Sequence, residues 1–141
     1  MRININELEE GYTDAGSLIL MCEGVPFSGI AYEISPQGTL WCEQTYDDGT
    51  LNGLSQDWHL NGQLKSQTEY KWNRVHGRDQ GWYENGRPEY DSYYELGIML
   101  REHRWNEAGV LQKSYRVEDN PKRYADLLQE KAIFQKYGLT V

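Results

Sequence analysis

The three histidines are the first residues to test for chemistry, because imidazole titrates near neutral pH and binds metals. They are His59, His76 and His103. None has a cysteine, aspartate or histidine at a metal-ligand spacing such as HxxxH or CxxC. His59 and His76 also lie beside glycine-containing turns, where a solvated turn residue is the simpler interpretation. The histidines therefore predict neither a metal site nor a proton-transfer site.

Adjacent carboxylates are the second candidate for chemistry, because two carboxyl groups can divide acid and base roles. Examples are Glu9-Glu10 and Asp47-Asp48, and the second directly precedes Gly49, as is typical of a turn. The sequence contains no GxSxG, P-loop or GxGxxG motif. We predict no catalytic residue, no cofactor and no metal, and hence a protein that is not an enzyme. A small enzyme or metal-binding domain is the least favoured alternative.

The charge of the chain limits its partners. Its 141 residues fit one domain, and the formal net charge is −8. This charge argues against nucleic acid and against an anionic membrane surface as ligands. An acidic surface serves solubility or attracts a basic protein partner, and the composition does not separate these two interpretations.

The apolar run at residues 18–22, LILMC, is too short to span a membrane and follows acidic residues rather than a basic leader. We therefore predict a cytoplasmic protein. In that compartment Cys22 and Cys42 are reduced. Both cysteines lie in apolar runs typical of strands, which favours small buried hydrophobic side chains over a redox pair.

A repeat of 24 residues supplies the elements that must position any site. Each copy has an opening glycine, a turn glycine nine residues later and a second turn eleven residues after that. The opening glycines are Gly29, Gly53 and Gly77, and a degraded fourth copy covers residues 101–117. Periods of 20 to 50 residues are typical of repeat architectures, which usually present surfaces rather than enclose active sites.

Between the turns, each copy reads as short strands rich in tyrosine, tryptophan, threonine and valine. Asn-Gly and Asp-Gly pairs bound them and favour tight hairpins, and short connections make neighbouring strands antiparallel. The chain has five tryptophans and eleven tyrosines but two phenylalanines, which suits a thin sheet with half-exposed rings. The predicted fold is mainly β: an antiparallel β-hairpin meander at residues 29–117, in a single domain covering residues 1–141.

The two ends of the chain differ from the repeat. Residues 1–28 predict an irregular N-terminal cap with one strand at residues 17–22 between two turns. The sequence Asp-Asn-Pro at residues 119–121 is a helix-start signal, and Gly138 supplies a stop. Apolar residues follow at helical spacing: Tyr124, Leu127, Leu128, Phe134 and Tyr137. We predict a helix of about 17 residues within 119–138 that caps the aromatic face or the last hairpin.

Side-chain alternation predicts two unlike faces. Large residues share one parity in three columns: Leu40, Leu64, Pro88 and Leu111; Tyr46, Tyr70, Tyr94 and Tyr115; and Ile34, Trp58, Trp82 and Trp105. The opposite parity collects acidic residues, including Glu33, and two aromatic residues. From it we predict an acidic partner-binding face formed by Trp41, Glu43, Asp57, Glu69, Asp79, Glu89, Asp91 and Tyr93. Trp and Tyr are favoured anchors, and acidic charge would steer a basic partner onto the surface.

The repeat resembles the MORN-variant family over residues 18–111. The residues that match are LNG at 51–53, WHLNGQLKS at 58–66, EY at 69–70, HG at 76–77 and GWYENG at 81–86. The stretch EGVPFSGIAY at 23–32 is similar to the start of many bacterial members. The chain departs from the pattern where residues 87–90, RPEY, replace QLKS, and where residues 100–101, LR, replace HG. These departures mark either a partner-specific surface or drift in a terminal repeat.

The resemblance implies an array of antiparallel hairpins. Bacterial proteins of this kind are often described as antitoxins or as immunity proteins beside toxins. The function expected from it is an immunity protein that covers the active site of one cognate toxin encoded by an adjacent gene. The acidic charge of the chain makes a basic nuclease the natural complement. The alternative is a non-catalytic structural or scaffolding repeat protein that binds another protein or a membrane-proximal component. For both we expect no nucleic acid and no direct membrane contact.

Overall fold

The computed structural model describes residues 1–138 and shows a mainly β fold closed by one α-helix, as the sequence predicts. A nine-stranded sheet is formed, in order across the sheet, by β1 (Arg2–Asn4), β5 (Gly29–Ile34), β6 (Leu40–Asp47), β7 (Thr50–Trp58), β8 (Leu64–Lys71), β9 (Arg74–Trp82), β10 (Pro88–Glu95), β11 (Ile98–Trp105) and β12 (Leu111–Arg116). Every neighbouring pair from β5 to β12 is an antiparallel hairpin.

The 24-residue period appears in the backbone as a ladder of hydrogen bonds between successive turns. Gly49 N donates to Phe27 O, Asn73 N to Leu51 O and Gly97 N to Val75 O, at 2.7, 2.9 and 2.9 Å. Each donor is in a tight turn with positive φ, the conformation that the turn glycines predict. The repeats are therefore joined at their turns as well as along their strands.

The N-terminal segment is more regular than the predicted irregular cap. It contains a second, three-stranded sheet of β2 (Glu9–Tyr12), β3 (Leu18–Cys22) and β4 (Val25–Pro26), and β3 coincides with the predicted strand. This small sheet is bonded to the main one through Leu20 N, which donates to Gly49 O at 2.9 Å. The sequence did not indicate β1, which pairs in parallel with β5.

The C-terminal helix α1 (Pro121–Lys136) begins where the sequence predicts, with the Asn120 side chain accepting a hydrogen bond from Arg123 N. It packs on the last hairpins through Leu127, which is buried with Ile98 and Val117. The predicted stripe is buried only in part. Leu128 is 51% exposed and Tyr137 is 71% exposed, because they lie to the side of the Leu127 contact.

Side chains of α1 also reach the turns of two hairpins. Phe134 stacks on Trp72 with ring centroids 5.9 Å apart. Ion pairs join Arg74 to Glu130 and Lys131 to Glu95, each at 3.1 Å. The helix therefore lies along the turn end of the sheet. No helix within residues 1–138 has the length and apolar character needed to cross a membrane.

Candidate functional site

Two adjacent rows of directly paired residues cross the nine-stranded sheet and define its faces. Directly paired residues of antiparallel strands project to one side, and successive residues of a strand project to opposite sides. One row has four buried residues and none exposed, and we call its side the packed face: Ala31, Gln44, Ser55, Thr68, Asp79, Ser92, Glu102 and Tyr115. The other row has no buried residue, and we call its side the open face: Tyr32, Glu43, Gln56, Gln67, Gln80, Asp91, His103 and Ser114.

The structure brings five of the eight predicted partner-binding residues together on the open face. They are Trp41, Glu43, Glu69, Asp91 and Tyr93. Trp41 and Tyr93 are 43% and 37% exposed, as anchors for a partner need to be.

Asp57 and Asp79 lie on the packed face, so the prediction of one shared acidic face is wrong for these two residues. The cause is the pairing register. In the hairpins from β5 to β10, a residue with an odd number is directly opposite one with an even number, as Asp57 is opposite Ser66, except at the three pairs beyond a bulge, Ile34–Leu40, Trp58–Leu64 and Trp82–Pro88. Odd positions therefore face the packed side on β5, β7 and β9, and the open side on β6, β8 and β10. Glu33 on β5 follows the same rule and is paired with Cys42.

The packed face holds its carboxylates in a cross-strand hydrogen-bond network. Asp79 Oδ1 accepts from the hydroxyl groups of Thr68 and Tyr90, at 3.0 and 3.4 Å. Glu102, which is 2% exposed, accepts from Ser92 Oγ at 2.8 Å and Arg104 Nε at 2.7 Å. These partners satisfy the buried oxygens, so the network reads as structural rather than catalytic.

This environment shifts the pKa values of the two carboxyl groups, Asp79 and Glu102, in opposite directions. Burial raises the pKa of Asp79 more than the hydrogen bonds from Thr68 and Tyr90 lower it. Burial also acts to raise the pKa of Glu102, but the hydrogen bonds from Arg104 and Ser92, with the charge of Arg104, lower it overall. Ionised Glu102 thus stabilises the fold above its unfolded pKa of 4.5, and this stability is lost as pH falls through the lower folded value. Ionised Asp79 destabilises the folded protein at neutral pH, and this destabilisation disappears as its carboxyl group is protonated at lower pH.

We therefore expect Asp79→Asn and Glu102→Gln to change the free energy of unfolding with opposite pH dependence. The free energy of unfolding of the Asp79→Asn protein, relative to the wild type, should be highest at pH about 7 and should fall towards pH about 3.5. The reason is that the wild-type protein gains stability when Asp79 is protonated. The Glu102→Gln protein should be least stable relative to the wild type at pH about 7, and the difference should shrink on acidification. Urea denaturation of the three proteins at both pH values measures this. Parallel pH profiles would contradict the assignment.

The open face is not acidic overall, which corrects the second part of the prediction. Arg2 pairs with Glu43 at 2.6 Å, and Arg78 holds Asp91 through two bonds at 3.0 and 3.2 Å. Glu69 accepts from the backbone N of Arg78 at 2.7 Å. The same face also carries cations of the later strands: Tyr93 is directly opposite Arg78 and Arg101, Arg101 is opposite Arg116, and the Arg101 guanidinium lies 4.9 Å from the Tyr93 ring centroid.

Glu89, the eighth predicted residue, lies at a bulge between Pro88 and Tyr90. It lines a cavity of about 470 Å³ at the turn end opposite to α1, which we call the turn cavity. The turn cavity is lined by His59, Trp82, Tyr83, Glu84, Asn85, Glu89 and Glu107. Within residues 1–138, Glu84, Glu89 and Glu107 form no ion pair with a lysine or arginine.

Side-chain bonds between successive turns hold the turn cavity open. His59 Nε2 lies 2.8 Å from Trp82 O, and Tyr83 Oη donates to Trp105 O at 2.7 Å. Asn85 Nδ2 donates to Glu107 O at 3.2 Å. Burial, followed by the charges of Glu89 and Glu107, raises the pKa of Tyr83. The charge of Glu89 also raises the pKa of Arg104, so that guanidinium is nearby without a direct ion pair. The cavity thus combines aromatic walls with three carboxylates outside any direct ion pair, an arrangement that suits a cationic side chain.

The cysteines do not form a reactive site. Both are free thiols on β3 and β6, so their strand positions agree with the prediction. Their side chains are of intermediate burial rather than buried. Cys42 Sγ donates to Glu33 Oε2 at 3.8 Å, and burial, with the charges of Asp57 and Glu33, raises its pKa to about 11. No group of three or more His, Cys, Asp and Glu residues within positions 1–138 is arranged to hold a metal ion.

No family model matches this chain. No curated protein matches it either. Two solved structures of TarM resemble part of the fold, one of them an S. aureus mutant in complex with fondaparinux, alpha-GlcNAc-glycerol and UDP. They are 15% and 12% identical, with TM-scores of 0.41 and 0.39. Each match covers 80% of this chain but 20% of the TarM chain, and the likeness is too weak to bear on function.

Sequence reasoning missed the arginines of the open face and every lining residue of the turn cavity except Glu89. Glu84 and Glu107 occupy the same position in successive turns, one residue after Tyr83 and Asn106. Aligning the turn residues, in addition to the strand residues, would have shown this pair. The positions of the open-face arginines depend on the pairing register between strands, which the repeat pattern in the sequence does not indicate.

Proposed function

We propose that this chain is a non-catalytic protein-binding module of the MORN-variant type that neutralises a cognate bacterial toxin in the cytoplasm. The toxin is the product of an adjacent gene and presents a basic surface. The observation that carries this proposal is the turn cavity, with three carboxylates that form no ion pair within residues 1–138 and its walls of Trp82 and Tyr83.

Two features of the chain favour a basic protein as partner: the turn cavity and the uneven distribution of charge. A lysine or arginine entering it would meet aromatic rings and carboxylates together, and both stabilise a cation. The charge of the chain is also uneven: residues 1–60 contain ten acidic and one basic residue, whereas residues 61–141 contain twelve acidic and thirteen basic residues. The long-range attraction of a basic partner is thus strongest at the first half of the sheet, where Trp41 is exposed on the open face, whereas the turn cavity acts at short range in the second half.

We expect the triple variant Glu84→Gln, Glu89→Gln and Glu107→Gln to bind the adjacent-gene product about 100-fold more weakly, because an inserted cation loses its counter-charges. The matched control is Glu9→Gln, Asp14→Asn and Glu23→Gln, which removes the same charge from exposed N-terminal positions. Isothermal titration calorimetry on both variants measures affinity, and co-expression in bacteria measures protection from the toxin.

Three results would decide the proposal. Weak binding by the triple variant alone supports the turn cavity as the anchor. Equal weakening by the control shows only long-range charge attraction and contradicts the cavity. An adjacent-gene product that is neither toxic nor bound by the wild-type protein contradicts the toxin proposal as a whole.

The scaffolding alternative is favoured by a different observation: β2 and β12 are edge strands of unlike charge, which suits pairing between copies rather than binding of a toxin.

A further inference from the structure

Strand β12 ends the nine-stranded sheet with a free edge. Among residues 1–138, β11 is its only neighbour in the sheet. α1 contacts the turns of β8–β9 and β10–β11, and it meets β12 only where Tyr115 packs against the cluster of Leu127, Ile98 and Val117. Four of its residues in succession, from Leu111 to Ser114, are exposed. A free edge leaves backbone N–H and C=O groups ready to pair with another strand.

This edge is basic although the protein is acidic. Arg101 is directly opposite Arg116, and Arg104 is directly opposite Lys113, so like charges lie opposite each other on both faces. Ion pairs offset part of this repulsion, because Arg104 binds Glu102 at 2.7 Å and Arg116 lies 3.8 Å from Glu118. Pairs of like charge opposite each other destabilise a sheet. β11 and β12 together contain four basic residues and one acidic residue. An incoming strand with carboxylates would relieve this repulsion.

Strand β2 is an edge of the opposite kind in the same chain. It pairs only with β3, and its residues Glu9, Glu10 and Tyr12 are exposed. Glu7, just before it, is also exposed. Residues 1–28 contain five acidic residues and one basic residue, so the edge at β2 is acidic whereas the edge at β12 is basic.

We propose that β12 of one copy pairs with β2 of a second copy, so that the chain associates head to tail through these two edges. One antiparallel register satisfies the charges and the apolar side chains together: Glu10 opposite Lys113, and Tyr12 opposite Leu111. Tyr12 and Leu111 are 71% and 50% exposed in the single chain and would cover each other. Glu7 then lies near Arg116.

The symmetry of the contact determines the product. The two surfaces differ, so each added copy leaves one edge of each kind free, and the assembly grows as an open chain of molecules. Four residues of pairing form a small interface, so we expect weak association, with a dissociation constant on the order of 100 µM. The exposed ion pairs make it sensitive to salt.

Sedimentation velocity of the full chain tests this inference without any toxin. The average mass should rise above 16.5 kDa as the concentration increases from about 10 µM to about 1 mM, and the rise should be suppressed in about 1 M NaCl. Lys113→Glu with Arg116→Glu, and separately Glu7→Lys with Glu10→Lys, should each stay monomeric. Mixing the two variants restores complementary edges, so the mixture should associate again.

A charge-matched control, Lys65→Glu with Lys122→Glu, changes exposed positions away from both edges and should associate like the wild type. Circular dichroism confirms that each variant is folded. A wild-type protein that remains at 16.5 kDa throughout, or a mixture that stays monomeric, overturns the inference. These variants leave Glu84, Glu89 and Glu107 intact, so their outcome is independent of the toxin-binding experiment.

Discussion

Gly49→Ala should destabilise the protein by about 2–5 kcal/mol, because it combines backbone strain with a steric overlap. Gly49 has φ +80°, where an L side chain is strained. An added Cβ would also lie 2.7 Å from both Ile19 Cβ and Leu20 O. Those atoms belong to β3, which is bonded to Gly49 and cannot move away without breaking that bond.

Gly38→Ala is the matched control, because Gly38 has φ +85° and no atom within 4 Å of the added Cβ. It should cost about 1 kcal/mol, the strain alone. Urea denaturation of the two variants gives both free energies of unfolding, and hydrogen exchange of the Leu20 amide reports whether the three-stranded sheet has detached. Equal costs at the two positions would show that β3 does not press on the turn at Gly49.

Leu127→Ala should destabilise the protein by about 2–5 kcal/mol, whereas Leu128→Ala should change stability by less than about 0.5 kcal/mol. Leu127 is 5% exposed and contacts the cluster of Ile98 and Val117, so its truncation leaves a cavity. Leu128 has the same side chain on the same helix but is half exposed. The pair therefore separates burial from helix propensity, which is identical in the two changes.

Thermal and urea denaturation measure both leucine variants. The ion pairs of α1 at Glu130 and Lys131 are partly exposed and contribute less than about 1 kcal/mol each, so they cannot mask the loss. If Leu127→Ala is as mild as Leu128→Ala, then α1 does not stabilise the sheet, and its role as a cap is wrong.

The sequence was sufficient for features set by local chemistry. Turn glycines and Asn-Gly pairs specify positive φ within a few residues, so the hairpins and the 24-residue period could be predicted. The cap at Asn120 and the proline after it likewise located the start of α1. Parallel pairing of β1 with β5 was not predictable, because it joins distant segments and leaves no local pattern.

The candidate site was predictable only in part for the same reason. Trp41 and Glu43 on one strand, and Asp91 and Tyr93 on another, were grouped correctly because alternation within one strand is local. Asp57 was misplaced because its face depends on the pairing register between strands, which simple parity ignores. The turn cavity was missed because Glu84 and Glu107 come from successive turns that only the stacking of repeats brings together.

The ladder of turn-to-turn bonds also limits how much conformational entropy the chain must lose at each step of folding. Strand pairs and turn bonds within the repeats join residues less than one period apart, so each hairpin that forms needs only a short loop to close on the one before it. The ends differ: Arg2 reaches Glu43 across 41 residues, and Arg74 reaches Glu130 across 56. Short-range closure thus builds the sheet, and the long closures are confined to the two segments that terminate it.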